Sequence, residues 1–269
     1  MKKIALIYDF DKTLSPKDMQ EFAYFKDIGI NDPQEFWTEV ERYRIENNMD
    51  SILTYMLLMI KKSGHLTKEN LIDAGKHIEL FEGVDTWFKR INKYAITKGL
   101  EIEHYIISSG LVEMIEGTSI KDEFKKIYAC RYVYDENNCA IWPARTVNYT
   151  TKTQYLFRIN NGVLDECNDV DLNKSTPDKY KHIPFERFIY IADGFTDVPC
   201  MKVVSQYNGH TIAVYKDEKS KEILAQPLYD DERANFIALA NYSEGSQLDN
   251  IVKSIIDYIA ARINLDSLK

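Results

Sequence analysis

An α/β fold with a doubly wound, mostly parallel sheet is predicted by three features of the sequence. Short apolar runs alternate with segments of helical period, as in sheets that helices cover on both faces. Most of these runs end in polar residues or glycine before the next helical segment begins. A purely helical stretch interrupts the alternation directly after the first strand, which predicts a small all-α insertion.

The predicted strands of the core are apolar runs bounded by turn-forming or polar residues. They span 4–8, 102–107, 126–134, 187–192 and 210–214, and a further extended segment spans 236–240. Apolar residues at helical spacing and the intervening polar segments predict helices in the core as well. These helices span 84–98, 152–159, 220–225 and 246–263.

The segment 16–80 contains no convincing strand and four helical patterns. The predicted helices span 18–28, 33–47, 51–62 and 68–76. Residues suited to capping these helices at the N-terminus are Asp18, Asp32, Asp50 and Thr67, and those suited to ending them are Gly29 and Gly64. We therefore predict a core domain of residues 1–15 and 81–269 and a helical cap domain of residues 16–80.

The composition narrows the classes of partner. The 269-residue chain has a formal net charge of -8, whereas proteins that bind nucleic acid or anionic membranes cluster Lys and Arg. No apolar run is long enough to span a bilayer, and the first one is too short for a signal peptide and ends at Asp9. The four cysteines are scattered without a CxxC pair, as in reduced proteins. We expect a cytoplasmic protein without a nucleic-acid or membrane partner.

Two carboxylates follow the first predicted strand. Asp9 and Asp11 stand two residues apart at the carboxyl end of a buried strand, where ligands bind in open α/β sheets. Adjacent carboxylates repel each other, so the pair favours a divalent cation or a shared proton. An acidic turn exposed to solvent would have the same composition. The Asp-x-Asp-x-Thr pattern directly after an apolar N-terminal strand favours a functional site.

A hydroxyl residue and a lysine follow further along the chain. Ser108, Ser109 and Gly110 come after the second strand, where a hydroxyl group and backbone N–H groups can bind an anion. The same residues also suit ordinary helix capping. Lys152 opens a predicted helix, which is an unfavourable place for a cation unless an anion offsets the helix dipole. An ordinary surface lysine is the alternative interpretation.

A second acidic pair follows the predicted strand 187–192. Asp193 comes directly after the strand, Gly194 permits a tight turn, and Asp197 either joins the site or caps the next helix. The order along the chain is an acid pair, a hydroxyl, a lysine at a helix start and a second acid pair. Together these residue types provide a divalent-metal site beside a phosphate site, as phosphoryl transfer requires.

These motifs resemble those of the haloacid dehalogenase (HAD) superfamily, in its phosphoserine-phosphatase-like branch. The matching positions are Asp9, Asp11, Thr13, Ser108, Lys152, Asp193, Gly194, Thr196 and Asp197. The resemblance covers nearly the whole chain. It implies a Rossmann-like core with a helical cap after the first strand, and a phosphatase that uses Mg²⁺ and acts on a small phosphorylated metabolite.

The resemblance also implies a role for each matching residue. Asp9 would be the nucleophile that forms an aspartyl-phosphate, and Asp11 the general acid that later activates water as a base. The implied phosphate-binding residues are Thr13, Ser108, Ser109, Gly110 and Lys152. The implied Mg²⁺ ligands are Asp9, the backbone carbonyl of Asp11, Asp193 and Asp197.

Three positions depart from the family pattern. Lys12 and Ala192 stand where many relatives have Gly, and Ser109 replaces the first Gly of the Ser-Gly-Gly found in many phosphoserine phosphatases. No reacting group is lost, but the assignment to phosphoserine itself is weakened. Asp18 and Glu21 stand where a cap residue can face a substrate amine, and they serve equally well in the first turn of a helix.

Two other functions are compatible with the same motifs. A phosphotransferase or phosphomutase would return the phosphoryl group to an acceptor other than water. A catalytically inactive binding or regulatory protein would have lost at least one reacting residue. The reacting residues are all present, namely Asp9, Asp11, Ser108, Lys152 and Asp193, so hydrolysis of a phosphomonoester is the leading hypothesis.

Overall fold

The computed structural model describes residues 1–177 and 180–268. Within these ranges seven strands form one sheet in the order β4-β3-β2-β1-β5-β6-β7. The strands are β1 (Lys2–Tyr8), β2 (Leu100–Leu111), β3 (Lys126–Tyr134), β4 (Ala140–Arg145), β5 (Phe188–Ala192), β6 (His210–Tyr215) and β7 (Phe236–Leu239). Neighbouring strands are parallel except for β3 and β4. The predicted α/β class with a mostly parallel sheet is confirmed.

Strand β1 lies at the centre of the sheet. Its last residue, Tyr8, is paired with Ile106 of β2 and Ile191 of β5, and residues 4–8 are fully buried. This burial on both faces explains the continuous apolar run in the sequence. The carboxyl ends of β1, β2 and β5 therefore lie side by side at one edge of the sheet.

The predicted strands all form, with changes at their ends. Strand β2 continues to Leu111 instead of ending at residue 107, with an irregular pairing to β3 between Ile107 and Leu111. The extended segment near 236–240 is the parallel edge strand β7. Strand β4 was not predicted. Its exposed Ile141 and Trp142 and its internal Pro143 give no buried face, and proline is tolerated in a sheet mainly at an edge.

Four helices lie between β1 and the return of the chain to the sheet. They are α1 (Tyr24–Asp27), α2 (Pro33–Asn47), α3 (Ser51–Ser63) and α4 (Lys68–Gly75). The predicted caps form on three of them, because Asp32, Asp50 and Thr67 each accept a hydrogen bond from a backbone N–H of the first turn. Helix α3 ends at Gly64 in the left-handed conformation, as predicted.

The predicted helix over 18–28 is wrong. The segment forms a short 3₁₀ turn at Met19–Glu21 and the single-turn helix α1. The backbone N–H of Met19 donates to Asp11 Oδ1 at 2.8 Å, and Met19 Sδ accepts from the N–H of Leu111. These contacts with the core replace the hydrogen bonds that a regular helix would make.

Eight further helices belong to the part of the chain that follows the segment 16–80. They are α5 (Val84–Thr97), α6 (Val112–Gly117), α7 (Tyr149–Asn161), α8 (Asp169–Leu172), α9 (Val198–Gln206), α10 (Glu218–Ser220), α11 (Gln226–Asp230) and α12 (Gln247–Asp266). Helix α7 begins before its predicted start, because Asn148 and Thr151 form a capping box. The segment predicted as a helix at 220–225 is largely a π-helical turn, Lys221–Ala225. Within the described ranges, no helix combines the length and the apolar character needed to cross a membrane.

The segment 16–80 is attached to the sheet at several points. Tyr55 OH donates to the carbonyl of Ser109 at 2.7 Å, and Tyr132 OH donates to the carbonyl of Met56 at 2.9 Å. Helices α4 and α6 also approach closely, since a Cβ atom on Gly75 or Gly117 would meet backbone atoms of the opposite helix. The division into a core and a cap with these boundaries stays a prediction.

Candidate active site

Two acidic residues leave neighbouring strands at the same edge of the sheet. Asp9 follows β1, and its backbone N–H donates to the carbonyl of Ile191 at 3.0 Å. Asp193 follows β5, which pairs directly with β1. Parallel strands bring their carboxyl ends together, so the two carboxylates converge where the sequence predicted.

A third carboxylate completes a cluster. Carboxylate oxygens of Asp9, Asp193 and Asp197 all lie within 4.8 Å of one another. Asp197 comes from the 3₁₀ turn Phe195–Asp197 between β5 and α9, and its side chain is fully buried. Burial and the nearby charges of Asp9 and Asp197 raise the pKa of Asp193 well above its usual range. Without a bound cation, the carboxylates of this cluster therefore repel one another.

Lys152 provides the positive charge beside this cluster. Its side chain is fully buried, and Nζ lies 2.7 Å from Asp197 Oδ1 and 3.2 Å from Asp9 Oδ1. Burial lowers the pKa of Lys152, but the charges of Asp197 and Asp9 outweigh it and the net shift is upward. The ammonium group thus remains charged. The unfavourable position of a lysine in the first turn of a helix is offset by these anions, as the sequence suggested.

Asp11 stands apart from the carboxylate cluster. Its Oδ1 accepts the backbone N–H of Met19 at 2.8 Å, and Asp11 is not a member of the group Asp9, Asp193 and Asp197. Burial, with the charges of Asp18 and Asp9, raises the pKa of Asp11 well above its usual range. A carboxyl group in this setting holds a proton more readily than an exposed one.

The five predicted phosphate-binding residues separate into two groups. Ser108 and Ser109 line a cavity of about 350 Å³ together with Asp9, Asp11 and Asp193. Lys152 lies just beneath it, in contact with Asp9. Thr13 and Gly110 are not among its lining residues. A Cβ atom at Gly110 would lie 2.1 Å from Met19 Cε and 3.1 Å from Asp11 Oδ2, so the glycine there allows Met19 and Asp11 to pack.

Ser108 differs from its predicted setting. The sequence placed it at a helix start, but it lies within β2, and α6 begins only at Val112. Its Oγ accepts the backbone N–H of Gly110 at 3.0 Å. The irregular pairing of β2 with β3 between Ile107 and Leu111 bends the strand end at this point. The hydroxyl group of Ser108 therefore reaches the cavity from a bent strand.

The chain is similar in sequence or fold to several known proteins. Protein-family models give no match to the chain. The chain is 30% identical to an uncharacterized protein of Borreliella burgdorferi over 278 aligned positions, which cover 92% of this chain and 94% of the relative. A phosphoserine phosphatase solved as a phospho-aspartyl intermediate analogue superposes over 94% of this chain and 99% of its own, with a TM-score of 0.55 and 16% identity.

Two further solved structures have a fold similar to that of this chain. A HAD family hydrolase from Salmonella enterica serovar Typhi has a TM-score of 0.57 at 16% identity, with 82% of this chain and 65% of that protein covered. A probable phosphoserine phosphatase from Vibrio cholerae has a TM-score of 0.61 at 12% identity, with 97% of this chain and 67% of that protein covered. The chain belongs to one family with the Borreliella protein, and its fold is that of the HAD superfamily.

The carboxylate cluster of this HAD-like chain fits a divalent cation. Three carboxylates and one ammonium group, Lys152, leave two negative charges uncompensated, which is the charge that one divalent cation neutralises. Asp9 Oδ1 has no well-directed hydrogen bond within the described part of the chain, since the contact with Lys152 is close but poorly angled. Hard cations such as Mg²⁺ prefer oxygen ligands of this kind.

Four further residues line the cavity, and the sequence had already pointed to each of them: Lys12, Asp18, Gly194 and Thr196. The lining residues that sequence reasoning missed are Ser51, Ile52, Asn148, Tyr149, Phe195 and Leu224. Phe195 lies inside a recognised motif, so proximity along the chain was a usable signal. The sequence around Ser51, Ile52 and Leu224 carries no such signal, because only the packing of distant segments brings them to the cavity.

Tyr190 is a further residue that the motifs did not identify. Its hydroxyl group donates to Asp197 Oδ1 at 2.6 Å, the oxygen that also accepts from Lys152. One oxygen of Asp197 is thus already bound twice by the protein. Asp197 can contribute its second oxygen to a metal, while its first oxygen orients Lys152.

Proposed function

We propose that this protein is a Mg²⁺-dependent phosphatase that hydrolyses a small-molecule phosphomonoester through an aspartyl-phosphate on Asp9. The observation that carries the proposal is the position of Lys152. A fully buried ammonium group lies 3.2 Å from Asp9 and 2.7 Å from Asp197, next to a cluster of three carboxylates. Such an arrangement provides a nucleophile, a fixed cation and oxygen ligands in one place.

The first step transfers the phosphoryl group to the protein. The carboxylate of Asp9 attacks phosphorus, and the bond between phosphorus and the ester oxygen breaks. Asp11, which lines the same cavity, donates its proton to the departing alkoxide, so the alcohol leaves neutral. Lys152 and Ser108 bind the equatorial oxygens and oppose their negative charge.

The second step regenerates the free carboxylate of Asp9. Asp11, now ionised, removes a proton from a water molecule that attacks the phosphorus of the aspartyl-phosphate. Inorganic phosphate leaves, and both carboxyl groups return to their starting protonation states. Mg²⁺ held by Asp9, the Asp11 carbonyl, Asp193 and Asp197 would neutralise the phosphate and fix its orientation when bound.

The raised pKa of Asp11 agrees with this role. Burial and the charges of Asp18 and Asp9 favour its protonated form, which is the form that the first step requires. The group must also lose that proton within each turnover, and transfer to the leaving alkoxide accomplishes this. The same side chain therefore serves both steps without an external acid.

Release of inorganic phosphate from a panel of phosphomonoesters tests the proposal. We expect turnover by the unaltered protein in the presence of MgCl₂ and loss of at least about a thousandfold in Asp9→Asn and Asp11→Asn. The exposed Asp122 provides a matched control, because Asp122→Asn makes the same chemical change far from the site. Near-native turnover by Asp9→Asn would refute the covalent mechanism.

The products distinguish hydrolysis from transfer to another acceptor. Hydrolysis releases inorganic phosphate and alcohol in equal amounts, whereas a phosphotransferase releases more alcohol than phosphate when an acceptor alcohol is present. We expect equal amounts at every acceptor concentration. Chelation of divalent cations should abolish both products together.

A further inference from the structure

The residues that line the cavity at Asp9 fall into two sets, which we call the reactive end (the proposed reacting residues) and the leaving-group end (the other lining residues). Asp9, Asp11, Asp193 and Ser108 line the reactive end. The volume of the whole cavity, about 350 Å³, is near the lower limit of small-molecule sites, about 300–1,000 Å³. That space accommodates a phosphate group and one ring system.

The leaving-group end has no unpaired charge among its described lining residues. The only charged side chains there are Lys12 and Asp18. Lys12 Nζ donates to both carboxylate oxygens of Asp18, at 2.8 and 2.7 Å. The pair neutralises itself, and neither an arginine nor a histidine lines the described cavity. A substrate carboxylate near the phosphate would therefore find no free cation among the described lining residues.

Two aromatic side chains lie at the mouth of the same end. Tyr149 and Phe195 both line the cavity, yet 50% of Tyr149 and 52% of Phe195 are exposed to solvent. Ile52 and Leu224 add apolar surface next to them. Half-exposed aromatic side chains that line a cavity leave their faces available to a ligand ring.

The backbone of Tyr149 is held in an unusual conformation. Its φ angle is +28°, in the region that bulky residues rarely adopt. The preceding Asn148 fixes the chain through its capping box with Thr151 and through a hydrogen bond from its side chain to Asp50 of the opposite segment. The ring of Tyr149 is thus presented by a constrained backbone. Constrained residues of this kind are frequent where a ligand is clamped.

From these observations we infer that the substrate is the phosphate ester of an alcohol that carries a planar ring and no carboxylate, with the ring seated against Tyr149 and Phe195. Aryl-substituted alcohols and nucleosides share this chemistry. Phosphorylated amino acids and other esters with a carboxylate close to the phosphate do not. The inference rests on the proposed phosphatase function, and it adds the class of leaving group.

A matched set of primary alkyl phosphates tests the inference. 2-Phenylethyl phosphate and ethyl phosphate release alcohols of similar intrinsic reactivity, so the ratio of their kcat/KM values reports binding of the ring. We expect a ratio of at least about ten, and a higher kcat/KM for a nucleoside 5′-monophosphate than for O-phospho-L-serine. Whether the nucleotide or the phenylethyl ester is better shows which kind of ring is preferred.

Substitutions at Phe195 and Tyr149 test where the ring of the substrate binds. Phe195→Leu and Tyr149→Leu keep apolar bulk and remove the aromatic face, so each should lower the phenylethyl-to-ethyl ratio about three- to tenfold, mainly through KM. Trp142→Ala removes an exposed aromatic side chain on β4, outside the cavity, and should leave the ratio and the turnover unchanged.

The outcomes separate this inference from the proposed function. Asp9-dependent turnover with a ratio near one, or with O-phospho-L-serine as the best substrate, overturns the ring-bearing leaving group and leaves the phosphatase function intact. An unchanged ratio in both leucine variants also overturns it. Absence of phosphate release from every ester, including ethyl phosphate, removes the phosphatase function and this inference with it.

Discussion

Lys152 Nζ donates a hydrogen bond of 2.7 Å to Asp197 Oδ1, and neither side chain is exposed to solvent. The same oxygen accepts the hydroxyl group of Tyr190 at 2.6 Å. Asp197 therefore fixes the ammonium group at 3.2 Å from Asp9 Oδ1. A buried pair of this kind is costly to break, because removal of one partner leaves an uncompensated charge in the interior.

Lys152→Met should lower the free energy of unfolding by about 3–5 kcal/mol, since three carboxylates then lose the buried ammonium group that lies beside them. Asp197→Asn should also destabilise the protein. The double variant should lose less than the sum of the two, because each substitution removes the same interaction. Urea denaturation at pH 7 without divalent cations measures the free energy of unfolding of each variant. Lys76→Met, in an exposed ion pair with Asp73, is the control and should have little effect. Additive losses in the double variant would contradict the coupling.

Asp193→Asn should stabilise the metal-free protein and remove the further stabilisation that Mg²⁺ gives. Burial and the charges of Asp9 and Asp197 disfavour the ionised form of Asp193, so an uncharged amide relieves repulsion. In the unaltered protein, Mg²⁺ at one hundred times its Kd should add about 2.7 kcal/mol of stability. Thermal unfolding across a MgCl₂ titration, with Asp122→Asn as the control, measures both effects. A Mg²⁺ shift in Asp193→Asn equal to that of the unaltered protein would exclude Asp193 as a ligand.

The elements that the sequence predicted well are those with a purely local signal. Strands β1 and β5 are buried on both faces, so their apolar runs are unbroken, and the acidic residue after each run marks the strand end. Strand β4 lacks this signal, because its side chains Ile141 and Trp142 face solvent. Only its pairing with β3 defines it as a strand.

The parts of the site that the sequence left out depend on contacts between distant segments. Met19 was expected in a helix, but its backbone bonds to Asp11 and its sulfur to Leu111. Tyr149 and Ile52 come to the same cavity from segments far apart in the chain. Motif spacing predicts which residues react, whereas the shape of the leaving-group end follows from packing.

A second buried hydrogen-bond network surrounds His104. His104 is almost fully buried on β2, with Nδ1 3.1 Å from Tyr8 OH and Nε2 3.0 Å from Asn92 Oδ1. Tyr8 OH in turn accepts from Trp87 Nε1 at 2.8 Å. These contacts suit a neutral imidazole that accepts at Nδ1 and donates at Nε2. Burial lowers the pKa of His104 to about 3.

The lowered pKa of His104 predicts that acid destabilises the protein. Between the ordinary histidine pKa of 6.5 and the folded value of about 3, the unfolded chain binds a proton that the folded chain does not. The contribution of neutral His104 to stability is therefore complete above pH 6.5 and is lost as the pH falls toward 3. The free energy of unfolding falls by up to about 1.4 kcal/mol per pH unit in this range. His104→Gln should be less stable at pH 7 and show a shallower decline between pH 6.5 and 4.5. Urea denaturation over this range measures the slope, and the exposed His77 provides the control variant His77→Gln. Equal slopes for His104→Gln and the unaltered protein would contradict the assignment.

Lys12 combines a strained backbone with a partly exposed ion pair. Its φ angle is +57°, and its ammonium group binds Asp18 while 42% of its side chain is exposed. The left-handed conformation costs a residue with a Cβ atom about 1–2 kcal/mol, whereas an ion pair this exposed contributes about 0–1 kcal/mol. The backbone term is therefore the larger of the two.

Comparison of Lys12→Gly with Lys12→Ala isolates that backbone term, because both variants lose the same ion pair. The greater flexibility of glycine in the unfolded chain offsets about 0.5–1 kcal/mol of the relief. We expect Lys12→Gly to be more stable than Lys12→Ala by up to about 1 kcal/mol in urea denaturation. Asp18→Asn weakens the ion pair without a change at residue 12. Its free energy of unfolding should lie within about 1 kcal/mol of that of the unaltered protein. If Lys12→Ala proves the more stable of the two variants, the left-handed conformation at residue 12 is not retained in solution.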